Sequence, residues 1–196
     1  MVHMKTKLIL VRHGHCEKSG TYCGSSDAPL TEKGRQQAVR VAQELAVAPI
    51  SFCHASPLSR AYETAQIICS ARQVSIVPAP SLKEIDFGLW EGLTYREISQ
   101  RWPEQVNKWL SNPTGATIPG GESFSGFRHR IRMFLQELSH KKTAGDILIV
   151  AHGGSIAVLL MEIHGKSVSE FFQLIPPLGS VQTIEWVMQD APAEAH

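Results

Sequence analysis

Two stretches far apart in the chain end alike. Leu8-Ile9-Leu10-Val11 runs into Arg12-His13-Gly14, and Ile147-Leu148-Ile149-Val150-Ala151 runs into His152-Gly153. Each apolar run reads as a buried strand of a parallel sheet, and open α/β sheets bind ligands beyond the carboxyl ends of their strands. A third basic residue, Arg60, lies in Ser56-Pro57-Leu58-Ser59-Arg60-Ala61, just after another apolar stretch. Ser56 is expected to cap the helix that follows and Pro57 to occupy its first turn. Arg60 would then sit beside free backbone N–H groups and the positive end of the helix dipole.

Arg12, Arg60, His13 and His152 gathered at one crevice would suit a dianionic phosphate. Arginine offers several planar N–H donors that match phosphate oxygens. Glycines after each histidine let the backbone come close enough to add its own N–H groups. A neutral imidazole is a nucleophile toward phosphorus, and two nearby guanidiniums favour that neutral form. Phosphoryl transfer then needs in-line positioning and stabilised equatorial charge, which arginines can supply without a metal or another cofactor. Glu84 is the expected acid for the leaving alkoxide and the later base for water, with Asp86 as its competitor. Glu91 and Glu122 read as solvated or capping carboxylates. Two other chemistries use the same residues. His13-Gly14-His15 has the spacing of metal ligands, and the cluster without its acid would serve a phospho-ligand binding module.

The elements that must place these residues alternate. Strands are expected at 5–11, 50–55, 74–77, 146–151 and 181–187. Helices are expected at 36–45, 95–101, 104–110, 124–138 and 156–163, with one more after Arg60 and with Thr31 capping the first. The segments 14–29, 82–92 and 113–121 read as loops rich in turn formers. This order points to a three-layer α/β/α sandwich with a mostly parallel central sheet.

Bulk properties narrow the partners. The 196 residues carry a formal net charge of +1, so no overall field draws the chain to nucleic acid or an anionic membrane. No run reaches the roughly 18 apolar residues that span a bilayer, and no secretory signal is legible. Residues 1–4 read as an addition ahead of a start at Met4, 5–188 as one domain and 189–196 as a disordered tail. Cys16, Cys23, Cys53 and Cys69 form no Cys-x-x-Cys pair, so reduced thiols and a cytoplasmic location are expected. The expected partner is a small phosphate ester, and self-association as a homodimer is left open. Trp90, Trp102 and Trp109 read as core before they read as an aromatic wall for a base.

Taken together, these segments resemble the histidine phosphatase superfamily, the phosphoglycerate mutase-like enzymes. The resemblance rests on Leu10-Val11-Arg12-His13-Gly14, on Pro29-Leu30-Thr31-Glu32-Lys33-Gly34-Arg35-Gln36-Gln37-Ala38 and on Ser56–Ala65. Glu84-Ile85-Asp86-Phe87-Gly88-Leu89-Trp90-Glu91-Gly92 and Val150-Ala151-His152-Gly153-Gly154 complete it, in the family's order. It implies His13 as nucleophile and Glu84 as acid and base. It implies Arg12, Arg60 and His152 as phosphate ligands, helped by the Gly153 N–H, and the Cys23-Gly24 loop near the substrate. The fold implied is phosphoglycerate mutase-like, and no metal is required. Where the family often has Glu, Thr and then Asn, this chain has His15, Cys16 and Ser19, so Ser19 is the implied phosphate donor. The stretches from Phe87 and from Pro119 look most like α-ribazole phosphatases of cobalamin synthesis and broad-specificity phosphatases, with phosphoglycerate mutases as a further alternative.

Overall fold

The computed structural model describes residues 5–140 and 145–187. Residues 1–4 and 189–196, set apart in the sequence, lie outside these. The element order is β1 (Lys5–Arg12), α1 (Glu32–Glu44), β2 (Ile50–Ala55), α2 (Ser59–Cys69), β3 (Ile76–Pro78), α3 (Tyr95–Arg101), α4 (Pro103–Ser111), α5 (Phe124–His140), β4 (Asp146–Ala151), α6 (Gly153–His164) and β5 (Val181–Val187). The strands form one sheet in the order β3-β2-β4-β1-β5, parallel except for β5, which runs antiparallel to β1. The protein is a three-layer α/β fold, and no helix among the described residues is long and apolar enough to cross a membrane.

Alternation along the central strands builds two cores. Leu8, Leu10, Ile147 and Ile149 face a layer from α3, α4, α5 and α6 that includes Ile98, Trp109, Phe127, Ile131 and Leu159. Ile9, Val11, Leu148 and Val150 face the opposite layer, where α1 and α2 contribute Val41, Ala61, Ala65 and Ile68. Every residue of β4 is buried, as the unbroken apolar run required. The register pairs Arg12 with Ala151 across β1 and β4. Because the two strands are parallel neighbours, His13 and His152 leave the sheet side by side at the same edge.

Helices α1 and α6 begin earlier than expected, at Glu32 and Gly153, and three further differences bear on the site and its surroundings. Helix α2 begins at Ser59, and neither Ser56 nor Pro57 belongs to it. The backbone N–H of Ser56 still continues the sheet by donating to the Val150 carbonyl at 2.9 Å. The helix start is capped from outside instead: Asp27 Oδ1 accepts from the Ser59 N–H and from its hydroxyl, both at 2.8 Å. Strand β3 lies at Ile76–Pro78, where its last residues pair with His54 and Ala55. A run of 3₁₀ turns at Val168–Leu174, opened by a Ser167–Glu170 capping box, was not expected and buries Phe171.

Candidate active site

The two histidine rings stand 5.0 Å apart between centroids at the carboxyl edge of the sheet. His13 is 5% exposed and His152 is fully buried. Burial and the positive charges of Arg60 and Arg12 push His13 down to about 3 and His152 well below the usual histidine range. Both imidazoles are therefore neutral at neutral pH. In His13, Nδ1 lies 2.7 Å from the Gly14 carbonyl. A carbonyl only accepts, so Nδ1 carries the proton and Nε2 keeps its lone pair. That is the nitrogen fit to attack.

His152 is held differently. Its Nε2 lies 2.7 Å from the Ser56 hydroxyl, which itself accepts from the Leu58 N–H at 3.4 Å. When the hydroxyl donates its own proton to Nε2, the His152 proton lies on Nδ1. That Nδ1 is a buried polar atom with no partner among the described residues, and Arg12 Nε and Arg60 Nε share this state. Three such N–H groups in one place match an anion with several acceptor oxygens.

Each guanidinium is anchored by carbonyls. Arg12 donates to the Pro176 carbonyl at 2.6 Å and rests on Gly153, where an added Cβ would come within 3.0 Å of its Cζ. Arg60 is fully buried and donates to the carbonyls of Ser26 at 3.0 Å, Cys23 at 3.3 Å and Gly24 at 2.7 Å. Part of its donor fork thus fastens the loop, with Nε left over. Thr64 adds a link between strand and helix, accepting from the Gly14 N–H at 3.3 Å and donating to the Arg60 carbonyl at 2.7 Å.

The two competing carboxylates part company. Glu84 Oε2 accepts from the Gly154 N–H at 2.8 Å, at the opening of α6, and Oε1 from the Ile85 N–H at 3.1 Å. Asp86 turns away and caps the Gly88 N–H at 2.9 Å. Glu84 lines the cavity beside Arg12, Gly153 and Cys23, whereas Asp86 does not. Arg130 holds the segment that carries Glu84 through the carbonyls of Ser81, Lys83 and Glu84, and pairs with Glu122 at 2.8 Å. Glu122, read as solvated or capping, is instead part of this clamp.

Glu91 departs furthest from the solvated reading. Its carboxylate accepts from the N–H groups of Gly24, Ser25 and Phe87 and from the Ser26 hydroxyl. It therefore shapes the loop whose carbonyls grip Arg60. Gly24 is needed there, because a Cβ would lie 1.9 Å from the Ile85 carbonyl oxygen. Ser19 folds back on its own turn: its hydroxyl accepts from the Cys16 N–H at 2.9 Å and donates to Cys16 Sγ. It does not line the cavity, unlike Cys23 and Gly153. His15 puts Nδ1 3.0 Å from the Thr31 hydroxyl, at the cap of α1 and away from His13. No group of three or more metal-ligating side chains occurs among the described residues.

The sequence matches the histidine phosphatase superfamily (branch 1) over residues 8–193. The chain belongs to that superfamily. Among curated relatives, the histidine phosphatase is 32% identical over 168 residues to phosphoserine phosphatase 1 of Hydrogenobacter thermophilus, covering 85% of this chain and 80% of that one. It is 32% identical over 161 residues to the adenosylcobalamin/alpha-ribazole phosphatase of Escherichia coli, covering 81% and 79%. Among solved structures, the alpha-ribazole phosphatase from Shigella flexneri superposes with a TM-score of 0.82 at 30% identity, covering 91% of this chain and 89% of that one. The protein is a phosphatase.

Proposed function

We propose that this histidine phosphatase removes the phosphate of α-ribazole 5′-phosphate, or of a closely similar phosphomonoester with an uncharged ring system as leaving group. In this reading His13 Nε2 attacks phosphorus to give a phosphohistidine, without a metal. Arg12, Arg60, the His152 N–H and the Gly153 N–H take up the equatorial oxygens. Glu84 protonates the leaving oxygen and then deprotonates the water that frees the imidazole. The reaction belongs in the cytoplasm, where four unpaired thiols are stable.

One observation supports this substrate over the charged ones named by other relatives. The cavity beside the phosphate cluster, about 300 Å³, is walled by Tyr22, Phe87, Trp109, Phe171, Phe172 and Ile175. Trp109 is both core and wall, while Trp90 is wholly core and Trp102 packs partly buried against it. Among the described lining residues Arg12 is the one cationic side chain, and the phosphoryl group claims it. A carboxylate on the leaving group, as in phosphoserine or the phosphoglycerates, would meet no second cation among these lining residues. A flat heterocycle instead gains aromatic contacts. The test is catalytic efficiency over a panel of α-ribazole phosphate, phosphoserine, 3-phosphoglycerate and simple alkyl phosphates. Expected is a preference for α-ribazole phosphate of at least about 100-fold. Equal efficiencies would favour a broad-specificity phosphatase, and phosphoglycerate interconversion faster than phosphate release would favour a mutase.

A further inference from the structure

Two neutral imidazoles share the site, and the partner that each ring already has sets them apart. His13 meets the Gly14 carbonyl, which only accepts. His152 meets a hydroxyl, Ser56 Oγ, 2.7 Å from its Nε2, and a hydroxyl both donates and accepts. The sheet builds this contact. Ala55 ends β2 in register with Val150 of β4, and the Ser56 N–H donates to the Val150 carbonyl at 2.9 Å. Ser56 and His152 therefore leave neighbouring strands together, and both are fully buried. The phosphoryl transfer described above gives Ser56 no part.

We infer that Ser56 is a positioning residue: its hydroxyl donates to His152 Nε2 and thereby fixes the His152 proton on Nδ1, as a donor to the phosphoryl group. This rests on the reading above in which His152 binds that group. Two arrangements are open to the buried pair. If Nε2–H donated to Ser56, the hydroxyl proton would find no other acceptor among the described residues, and the Nδ1 lone pair would lie buried without a donor. Arg12 Nε and Arg60 Nε do not supply one, since both are themselves unpartnered. If the hydroxyl donates, its proton and the Nε2 lone pair are both satisfied, and its oxygen still accepts from the Leu58 N–H at 3.4 Å. Only Nδ1–H is then left over. Unpaired buried polar groups are costly, so the arrangement that leaves one is favoured over the arrangement that leaves two. A phosphate oxygen satisfies the last N–H, whereas an Nδ1 lone pair would repel it.

The same hydrogen bond assigns the two rings different work. A neutral imidazole has one nitrogen lone pair. In His152 that lone pair is occupied by the Ser56 hydroxyl, so the ring offers phosphorus a donor and no nucleophile. In His13 the Gly14 carbonyl takes the proton side of the ring and leaves Nε2 bare. Burial and the guanidiniums of Arg60 and Arg12 keep His152 uncharged, so the tautomer, and not added charge, decides what its Nδ1 presents.

The experiment records long-range proton–nitrogen NMR spectra of the ¹⁵N-labelled full chain at neutral pH, which distinguish a protonated ring nitrogen from a bare one. The His152 signals are assigned by their loss in His152→Asn. Kinetics on p-nitrophenyl phosphate and inhibition by vanadate are read in parallel for Ser56→Ala and Ser56→Thr. Expected in the wild type is a proton on Nδ1 of His152, with that Nδ1 signal moving when vanadate binds. In Ser56→Ala a share of the rings should carry the proton on Nε2, and kcat/KM should fall by about 10- to 100-fold with vanadate inhibition weakened alongside. Ser56→Thr keeps the hydroxyl and should recover the Nδ1–H form and part of the activity. A His152 proton on Nε2 in the wild type would overturn the proposal without any variant. So would an Nδ1–H form that persists undiminished in folded Ser56→Ala, or activity of that variant within about threefold of wild type. If the proton moves in Ser56→Ala while kinetics and vanadate binding do not, His152 leaves the phosphate site and the underlying reading falls with the proposal.

Discussion

Replacing Glu91 with alanine removes an anchor that touches no substrate and is nevertheless expected to slow the enzyme. Its carboxylate accepts from Ser25 N at 2.8 Å, Gly24 N at 3.1 Å, Phe87 N at 3.1 Å and Ser26 Oγ at 2.5 Å. A hydrogen bond to a charged group contributes about 1.5–3 kcal/mol, and water will satisfy part of what alanine abandons in this half-buried loop. A net local cost of about 2–4 kcal/mol follows for the ordered form of the loop. The carbonyls of Cys23, Gly24 and Ser26 then no longer hold Arg60 in one place. Misplacing a phosphate donor by about 1 Å costs on the order of 100-fold in rate, so Glu91→Ala should lose about 10- to 100-fold in kcat/KM. Weaker inhibition by vanadate should accompany the loss, because the same donors bind the analogue. Glu91→Gln, which keeps the volume but offers one acceptor oxygen, should fall between. Steady-state kinetics on p-nitrophenyl phosphate with thermal melts gives all these values. A folded Glu91→Ala enzyme within about threefold of wild type, with vanadate inhibition unchanged, would refute the reasoning.

Other perturbations probe other parts of the site. Glu84→Gln should cost about 100- to 1,000-fold on an alkyl phosphate and far less on p-nitrophenyl phosphate, whose leaving group departs unprotonated; equal losses on both would remove Glu84 from the acid's role. Gly153→Ala places a Cβ 3.0 Å from Arg12 Cζ and 2.9 Å from Ile175 Cγ2, so kcat/KM should drop by about 10- to 100-fold with little change in melting temperature. An unchanged kcat/KM would show that Arg12 can move without consequence. Acid should destabilise the fold through the histidines. The unfolded chain protonates them near 6.5, while the folded protein keeps His13 neutral down to about 3 and holds His152 well below its usual range. Stability is therefore full above about pH 6.5 and falls as the pH drops from there toward 3. Urea melts across this range should show a shallower slope in His13→Gln; an identical slope would contradict a neutral buried His13.

What could be read in advance follows from where the information lies. Apolar runs that end in Arg-His-Gly and in His-Gly-Gly mark strands and their carboxyl ends locally, and the sheet register then brings His13 beside His152. Roles that depend on contacts across the fold left no such mark. Ser56 looked like a helix cap, since serine before a helix usually is one, yet it holds His152 while Asp27 caps α2 from a distant loop. Glu84 and Asp86 are two residues apart and chemically alike, so their opposite directions emerge only with the Gly154 and Gly88 amides in place. Arg130 sat on the polar face of an amphipathic helix, where a charge is ordinarily solvated. Glu91 lay in a loop rich in turn formers, where a carboxylate is also ordinarily solvated. Phe171 and Phe172, which wall the cavity, belong to turns at Val168–Leu174 that have neither strand nor helix periodicity.

The nucleophile can be tested most directly by trapping the enzyme during turnover. Rapid quenching into alkali preserves a phosphorus–nitrogen bond that acid would cleave, and mass mapping then locates it. Expected is a phosphoryl group on the peptide 13–18, at His13, which forms within the first turnover and is absent from His13→Ala. A fully active enzyme whose quenched peptides carry no phosphate, or carry it on His152, would contradict attack by His13.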